Sequence, residues 1–271
     1  MSWVRVALVT FLCLVVFAGP VPAADTVFTS TAEIRKESVR LGSEALEVVR
    51  TPADTEGYGL LGTLATAGAV GLTYVFDADI RDKVQGTRGR TLDKAADVGS
   101  IVGDPFVHLG VAAAVYGGGA LAGSAKWQET GEMLGEAAIL ADASGFILKE
   151  AIGRGRPFAA QDKGSFRPFQ FRTDYDSMPS LHTASSFAMA SVLASTSESI
   201  PAKLFYYGAA TFVGFSRIYK DKHWTSDVVL GAALGELCGR VVTDYHVRGK
   251  RVALVPAVSG DSAMLALQGR W

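Results

Sequence analysis

Apolar residues recur at helical spacing along most of this chain, and strand-like alternation is confined to its C-terminal end. Ser30-Thr31-Ala32-Glu33 has the form of a capping box, with Ser30 as N-cap and Glu33 reaching back to it. An amphipathic stretch follows to about Arg50, and Pro52 ends it. Residues 57–76 are a long apolar run rich in Gly, Ala and Leu, and residues 98–123 are a second, interrupted by Asp104, Pro105 and His108. Residues 127–149 are helical in period but carry Glu129, Glu132, Glu136 and Asp142. After a charged, aromatic loop over 153–178, residues 181–194, 202–215 and 227–245 complete a set of about six main helices. Residues 251–258 and 263–267 flank Ser259-Gly260-Asp261-Ser262 and predict a small hairpin. The predicted fold class is an all-α helical bundle with a C-terminal β-hairpin.

The N-terminal segment has a different character. Arg5 precedes an apolar stretch over 6–18, which leads to the small-residue site Val21-Pro22-Ala23. This predicts a signal peptide over residues 1–23 and a single domain over 24–271, with a retained membrane anchor as the alternative. Cleavage there removes Arg5 and Cys13, leaving 25 basic residues against 27 acidic ones. Cys238, then the only cysteine, reads as a small core hydrophobe. An exported chain places its site in the periplasm or at the outer side of an inner membrane.

A length of 271 residues suffices for one core without a disulfide or metal staple. A formal charge of −1 with no Lys/Arg run excludes a nucleic-acid partner. The mean hydropathy of +0.24 keeps a membrane in view, and residues 57–76 are long enough to cross one. The acids of 127–149, Glu236 and Arg240 near the end, and the short apolar run after His182 oppose further spans. This balance favours a soluble or peripherally attached bundle over a polytopic one.

Three patches carry chemistry. The first is the run from Lys149 through Gly153, Arg154 and Gly155 to Arg156-Pro157, where cations converge beside flexible backbone. The planar fork of Arg suits phosphate oxygens and Lys adds a point charge. The bland alternative is a basic helix C-terminus that complements the helix dipole. The second is Met178-Pro179-Ser180-Leu181-His182, where a helix start led by Ser180 offers unpaired amides to an anion. His182 in that first turn can protonate a leaving oxygen, or be a plain surface residue. The third runs from Ser216-Arg217 to His223 and Asp227, four residues apart, so one helix face would bring imidazole and carboxylate together. A carboxylate on one ring nitrogen raises the basicity of the other. No Cys/His spacing supports a metal, and the cations around these histidines would repel one. His108 reads as a core residue and His246 as a surface cation.

Lys-x6-Arg-Pro, Pro-Ser-x-His and Ser-Arg-x5-His-x3-Asp, in that order over 149–227, resemble the type 2 phosphatidic acid phosphatase and vanadium haloperoxidase superfamily. The resemblance implies an all-α bundle with its site at one end of the central helices. It implies His223 as a nucleophile that forms a phosphohistidine, Asp227 to orient it and His182 to protonate the leaving group. Lys149, Arg156, Ser180, Leu181 and Arg217 would hold the phosphoryl oxygens, Leu181 through its backbone amide. No metal or other cofactor is implied. The family pattern has Gly where this chain has Leu181; a positive φ there would strain the loop.

The expected activity is metal-independent hydrolysis of phosphomonoesters or diphosphates, with a phosphatidic acid-like lipid favoured. The alternatives are a periplasmic non-specific acid phosphatase on soluble esters, a vanadate-dependent haloperoxidase, and a non-enzymatic anion-binding module. The last needs only the cations, and so leaves His182, His223 and Asp227 unexplained. Phe158, Phe166, Phe169, Phe171 and Tyr175 alternate with Lys163, Arg167 and Arg172, a mix suited either to a membrane surface or to a self-packed lid. No oligomeric state follows from the sequence.

Overall fold

The computed structural model describes residues 31–159, 162–248, 253–259 and 262–268. The chain divides into two compact units, Met1–Gly42 and Ser43–Trp271. The proposed signal segment, the cap at Ser30 and the Gly260-Asp261 turn lie outside the described residues.

The described residues form eight α-helices rather than about six. They are α1 (Thr31–Arg50), α2 (Gly59–Gln85), α3 (Arg90–Val102), α4 (Pro105–Leu121), α5 (Ala125–Ile152), α6 (Leu181–Ser195), α7 (Ile200–Tyr219) and α8 (Thr225–Arg248). At the C-terminal end β1 (Ala253–Ser259) lies antiparallel to β2 (Ser262–Gln268), with Ala253 opposite Gln268. The extra breaks have local causes. Asp104 accepts a hydrogen bond from the Phe106 amide and Pro105 occupies the first turn, so the apolar run over 98–123 becomes two helices bent by 58°. Arg90–Val102 begins well before that run, because its polar N-terminal half carries no continuous apolar signal.

The central helix is α6, which packs against α8, α5 and α7. It owes this position to small residues: Ala184, Ala188, Ala190 and Ala194 are buried along it. On α8, Gly231, Gly235 and Gly239 repeat every four residues and face it. A Cβ on Gly235 would lie 2.0 Å from the Ala184 carbonyl oxygen, so the two backbones approach as closely as glycine permits. The antiparallel pair α4–α5 is joined through Gly123 at φ 65° and uses the same device at Gly131, where a Cβ would sit 2.4 Å from the Tyr116 amide. Leu134, Ala137, Ala141, Val192, Val213, Cys238 and Val242 complete the core.

The histidines outside the motifs are both buried. His108 is 6% exposed, and its Nε2 lies 3.4 Å from Ser186 Oγ. His246 is 9% exposed and not a surface cation: its Nε2 lies 2.8 Å from a Glu136 carboxylate oxygen. The packing of α8 against α5 turns that helix end inward.

α2 has another character. It is long and apolar enough to cross a membrane, and its apolar window is unburied. Leu60, Leu61, Leu64, Leu72, Val75 and Phe76 all lie exposed on it.

Candidate active site

The three sequence patches meet at one end of the bundle. Helix α5 ends at Ile152, and Gly153 takes a left-handed conformation with φ 59°. A side chain there would collide with the Arg167 carbonyl oxygen at 2.0 Å, so the turn into the loop requires glycine. Lys149 therefore stays in the last helical turn while Arg156 enters the loop, and they do not share a helix face. Asp176 gathers both cations. Its carboxylate accepts from Arg156 Nε at 2.6 Å, and its carbonyl oxygen accepts from Lys149 Nζ and from Arg156 Nη2.

His223 precedes the start of α8, because the carboxylate of Asp227 caps that helix by accepting from the Trp224 amide at 2.8 Å. The expected helical pairing of His223 with Asp227 is thus replaced by a loop-to-helix arrangement. The ring Nδ1 lies 2.7 Å from the Ser177 carbonyl oxygen and 3.7 Å from Asp227 Oδ2. A carbonyl only accepts, so Nδ1 carries the ring proton and Nε2 keeps the lone pair. Asp227 supports both sides of this contact, since Ser177 Oγ also donates to its Oδ2 at 2.5 Å. Nε2 faces Arg156, whose Nη1 is 3.5 Å away.

The electrostatics follow from burial among cations. His223 is held well below its ordinary pKa by burial first, then by Arg156, Lys149, Arg217 and His182. His182 is lowered to about 2 by burial, then by Arg217, Lys149, His108 and Arg156. Burial brings Lys149 down to about 7, with Arg156 and Arg217 adding to the fall and Asp176 and Asp227 opposing it. Arg217 is 8% exposed; its Nη1 donates to Ser100 Oγ at 2.9 Å, and its buried Nε has no hydrogen-bond partner. Burial raises the Asp227 carboxyl above its ordinary pKa, and the Arg154 guanidinium, with Nη1 at 2.6 Å, opposes part of that rise.

Ser180 stands at the N-cap of α6, though its hydroxyl caps nothing. It accepts from Thr183 Oγ1 at 3.0 Å, while the Ser180 amide donates to the Asp227 carbonyl oxygen at 3.0 Å. The amides of Leu181, His182 and Thr183 are the first-turn donors that a helix leaves without an internal acceptor. Leu181 is not strained: the positive-φ non-glycine residues described are Phe169, Phe171 and Asp221. Its side chain lies over Gly145, where a Cβ would meet Leu181 Cδ2 at 2.5 Å.

Residues 133–251 match the profile described as the PAP2 superfamily. This segment, less than half of the chain, resembles the PAP2 superfamily. The PAP2 segment is similar to Lipid A 1-phosphatase of Porphyromonas gingivalis, at 35% identity over 100 residues, 35% of this chain and 22% of that protein. A Lipid A 1-phosphatase of Rhizobium johnstonii is 33% identical over 91 residues, 33% of this chain and 36% of that protein. The matched region therefore spans less than two fifths of these curated relatives. The solved structure of Aquifex aeolicus LpxE superposes on 63% of this chain and 96% of its own, with TM-score 0.52 and 24% identity. That of a transmembrane PAP2 type phosphatidylglycerolphosphate phosphatase from Bacillus subtilis covers 79% of this chain and 97% of its own, with TM-score 0.53 and 20% identity. These two likenesses establish the helical PAP2 fold.

The PAP2 motifs leave out four residues that organise this site: Ser177, Asp176, Arg154 and Asp77. Arg154 was visible as a middle cation of the Gly-Arg-Gly-Arg-Pro run. Ser177 acts through its carbonyl, which no side-chain pattern reports. Asp77 lies far away in sequence, inside an apolar helix. In the aromatic loop Phe158, Phe166, Phe169 and Phe171 are exposed, whereas Tyr175 is buried at 4%, with Arg167 4.7 Å above its ring.

Proposed function

We propose that this protein is a metal-independent phosphatase of phosphorylated lipids that works at a membrane surface through a phosphohistidine intermediate. The observation that carries the reading is the buried ring of His223, with Nδ1 tied to a carbonyl and Nε2 facing the Arg156 guanidinium at 3.5 Å. A neutral imidazole with a free Nε2, set against fixed cations, is what attack on a dianionic phosphoryl group requires.

In the first step Nε2 of His223 attacks phosphorus, the P–O bond to the lipid breaks, and His182 passes a proton to the departing oxygen. The imidazolium character that develops on His223 is met by Ser177 and Asp227. In the second step water attacks the phosphohistidine, His182 takes the water proton, and orthophosphate leaves. Arg156, Lys149 and Arg217 hold the three phosphoryl oxygens together with the amides that open α6 at Leu181. The unpartnered Arg217 Nε gives one oxygen a donor that is already desolvated. Burial and then the surrounding cations depress His182, and a substrate dianion offsets the cations, so substrate binding helps to arm the acid.

A lipid rather than a soluble ester is favoured by α2, whose apolar window is unburied, and by the exposed Phe169 and Phe171 beside the site. The named activities of the curated relatives, lipid A 1-phosphatases, point the same way. An active site on the outer side of the membrane follows from the exported reading of residues 1–23. The test is phosphate release in EDTA by the full chain, with a lipid phosphomonoester in micelles beside a soluble aryl phosphate. The lipid is hydrolysed faster, and His223→Ala abolishes release from both. Equal rates on both substrates would remove the lipid reading, and turnover by His223→Ala would remove the mechanism.

A further inference from the structure

Behind the His223 ring lies a fully buried charge network, of which the PAP2 motifs contain only Asp227. Arg154, Asp77 and Asp227 each have 0% exposed side chains. Arg154 spans the two carboxylates: Nη2 donates to Asp77 Oδ2 at 2.8 Å and Nη1 to Asp227 Oδ1 at 2.6 Å. Nη1 also reaches Ser226 Oγ at 2.7 Å, and Nε donates to the Lys163 carbonyl oxygen at 3.0 Å. The rings of Tyr74, Trp224 and Phe166 surround the guanidinium at 5.0, 5.5 and 5.8 Å. Asp77 closes the network on α8 by accepting from the Ser226 amide at 2.9 Å and from the Ser226 hydroxyl at 2.5 Å.

Asp77 belongs to α2, and it begins a polar stripe on that otherwise apolar helix. One turn on, Arg81 grips the Asp221 carboxylate through Nε and Nη2 at 2.6 and 2.7 Å. One turn further, Gln85 donates to the carbonyl oxygens of Ile218 and Tyr219 at 3.1 and 3.3 Å. Spacing of four residues puts all three on one face. All three bind the segment from 218 to 226 that carries His223.

We propose that Asp77 and Arg154 are positioning residues for the reaction, acting through Asp227 on the nucleophilic His223. The inference rests on the phosphatase reading for its kinetic part and on geometry for the rest. Asp77, Arg154 and Asp227 together carry one net negative charge behind the ring. The groups that face His223 from the other elements are Lys149 on α5, His182 on α6, Arg217 on α7, and Arg156 in the loop. All four are absent from the network, so changes within it alter only the charge behind Nδ1.

The experiment uses the full chain in detergent micelles, with histidine ring nitrogens labelled. Four histidines in the chain keep that spectrum assignable. Asp77→Asn makes the network neutral, Arg154→Gln gives it two negative charges, and the double variant restores one. At pH 7 the Nδ1 resonance of His223 moves one way in Asp77→Asn, the opposite way in Arg154→Gln, and returns in the double variant. Where Arg154→Gln alone does not fold, the departure in Asp77→Asn and the return in the double variant carry the same information. In kinetics, Asp77→Asn lowers kcat about tenfold with KM within about twofold, the signature of a displaced nucleophile rather than a lost substrate contact. Asp77→Glu, which keeps the charge, retains more of kcat. Ring shifts that all run in one direction, or that do not occur, overturn the proposal. A wild type that hydrolyses no phosphoester overturns the phosphatase reading instead, and the ring shifts still decide the coupling.

Discussion

Arg156 holds Nη1 3.5 Å from Nε2 of His223, while the opposite ring nitrogen is bound to the Ser177 carbonyl oxygen at 2.7 Å. The two contacts divide the work on one imidazole. The carbonyl fixes the tautomer, and the guanidinium marks where an anion must sit to meet the free lone pair. Burial first, and then the same guanidinium, oppose a second proton on the ring and hold its pKa well below the ordinary value.

Protonation of His223 therefore limits turnover only at a pH well below the ordinary imidazole range. Arg156→Gln removes the nearest cation, and the His223 pKa then rises. The acid limb of the kcat profile moves to higher pH in that variant, and kcat/KM falls by at least about a hundredfold because a donor to the transition state is gone. Profiles of both proteins across pH 4 to 8 check this. An acid limb that stays in place would show that Arg156 does not act on the His223 ring.

Lys149 makes a prediction about stability. Its folded pKa is about 7, against an unfolded value near 10.5. The unfolded state thus holds more protons than the folded one between those values, and stability rises with pH across that window. Below pH 7 the full cost of the buried charge is present. Lys149→Met relieves it, so the melting temperature increases by about 3 °C or more at pH 6 and by less at pH 9.5. The variant is inactive at either pH. A melting temperature that falls equally at both would mean the ammonium is stabilising as it stands.

The site was legible wherever a side chain carries the chemistry, and illegible wherever backbone or distance does. Lys149, Arg156, His182 and Arg217 all act electrostatically on His223, because each motif brackets a helix end. His223 and Asp227 pair across a loop-to-helix junction rather than along one helix face. Asp227 caps the Trp224 amide, and a capping residue starts a helix rather than extending it backward. The break at Asp104-Pro105 was visible as a cap followed by proline, yet the apolar run on both sides concealed it. Asp77 gave no signal, since its partner Arg154 is 77 residues away and only the folded chain joins them.

Phosphate binding tests the same lysine from the ligand's side. At pH 8 orthophosphate is already a dianion and Lys149 in the empty pocket is mostly neutral. A dianion at hydrogen-bond distance favours the charged amine, so binding takes up about half a proton or more per site. Calorimetry in two buffers of different ionisation enthalpy reads this directly. The uptake disappears in Lys149→Met. Binding without proton uptake in the wild type would place the phosphate away from Lys149.

The glycine stripe on α8 sets how far the two halves of the site stand apart, and its members differ in what they hold. A Cβ on Gly231 would lie 2.6 Å from the Ser180 carbonyl oxygen, at the start of α6 beside His182. One on Gly239 would lie 2.5 Å from Ser191 Cβ and 2.7 Å from the Ala188 carbonyl oxygen, two helical turns away from the chemistry. Backbone atoms of α6 cannot step aside singly, so each alanine pushes that helix outward and costs about 1–3 kcal/mol of stability. The catalytic effects separate. Gly231→Ala moves His182 relative to His223 and lowers kcat/KM at least about tenfold, since roughly 1 Å of misplacement is enough. Gly239→Ala lowers the melting temperature by a similar amount but leaves kcat/KM within about threefold, because its displacement is spent at the far end of the helix pair. Activity and unfolding measured on both variants check this. Equal catalytic losses would mean that α6 moves as a rigid rod, with the site depending on its whole length.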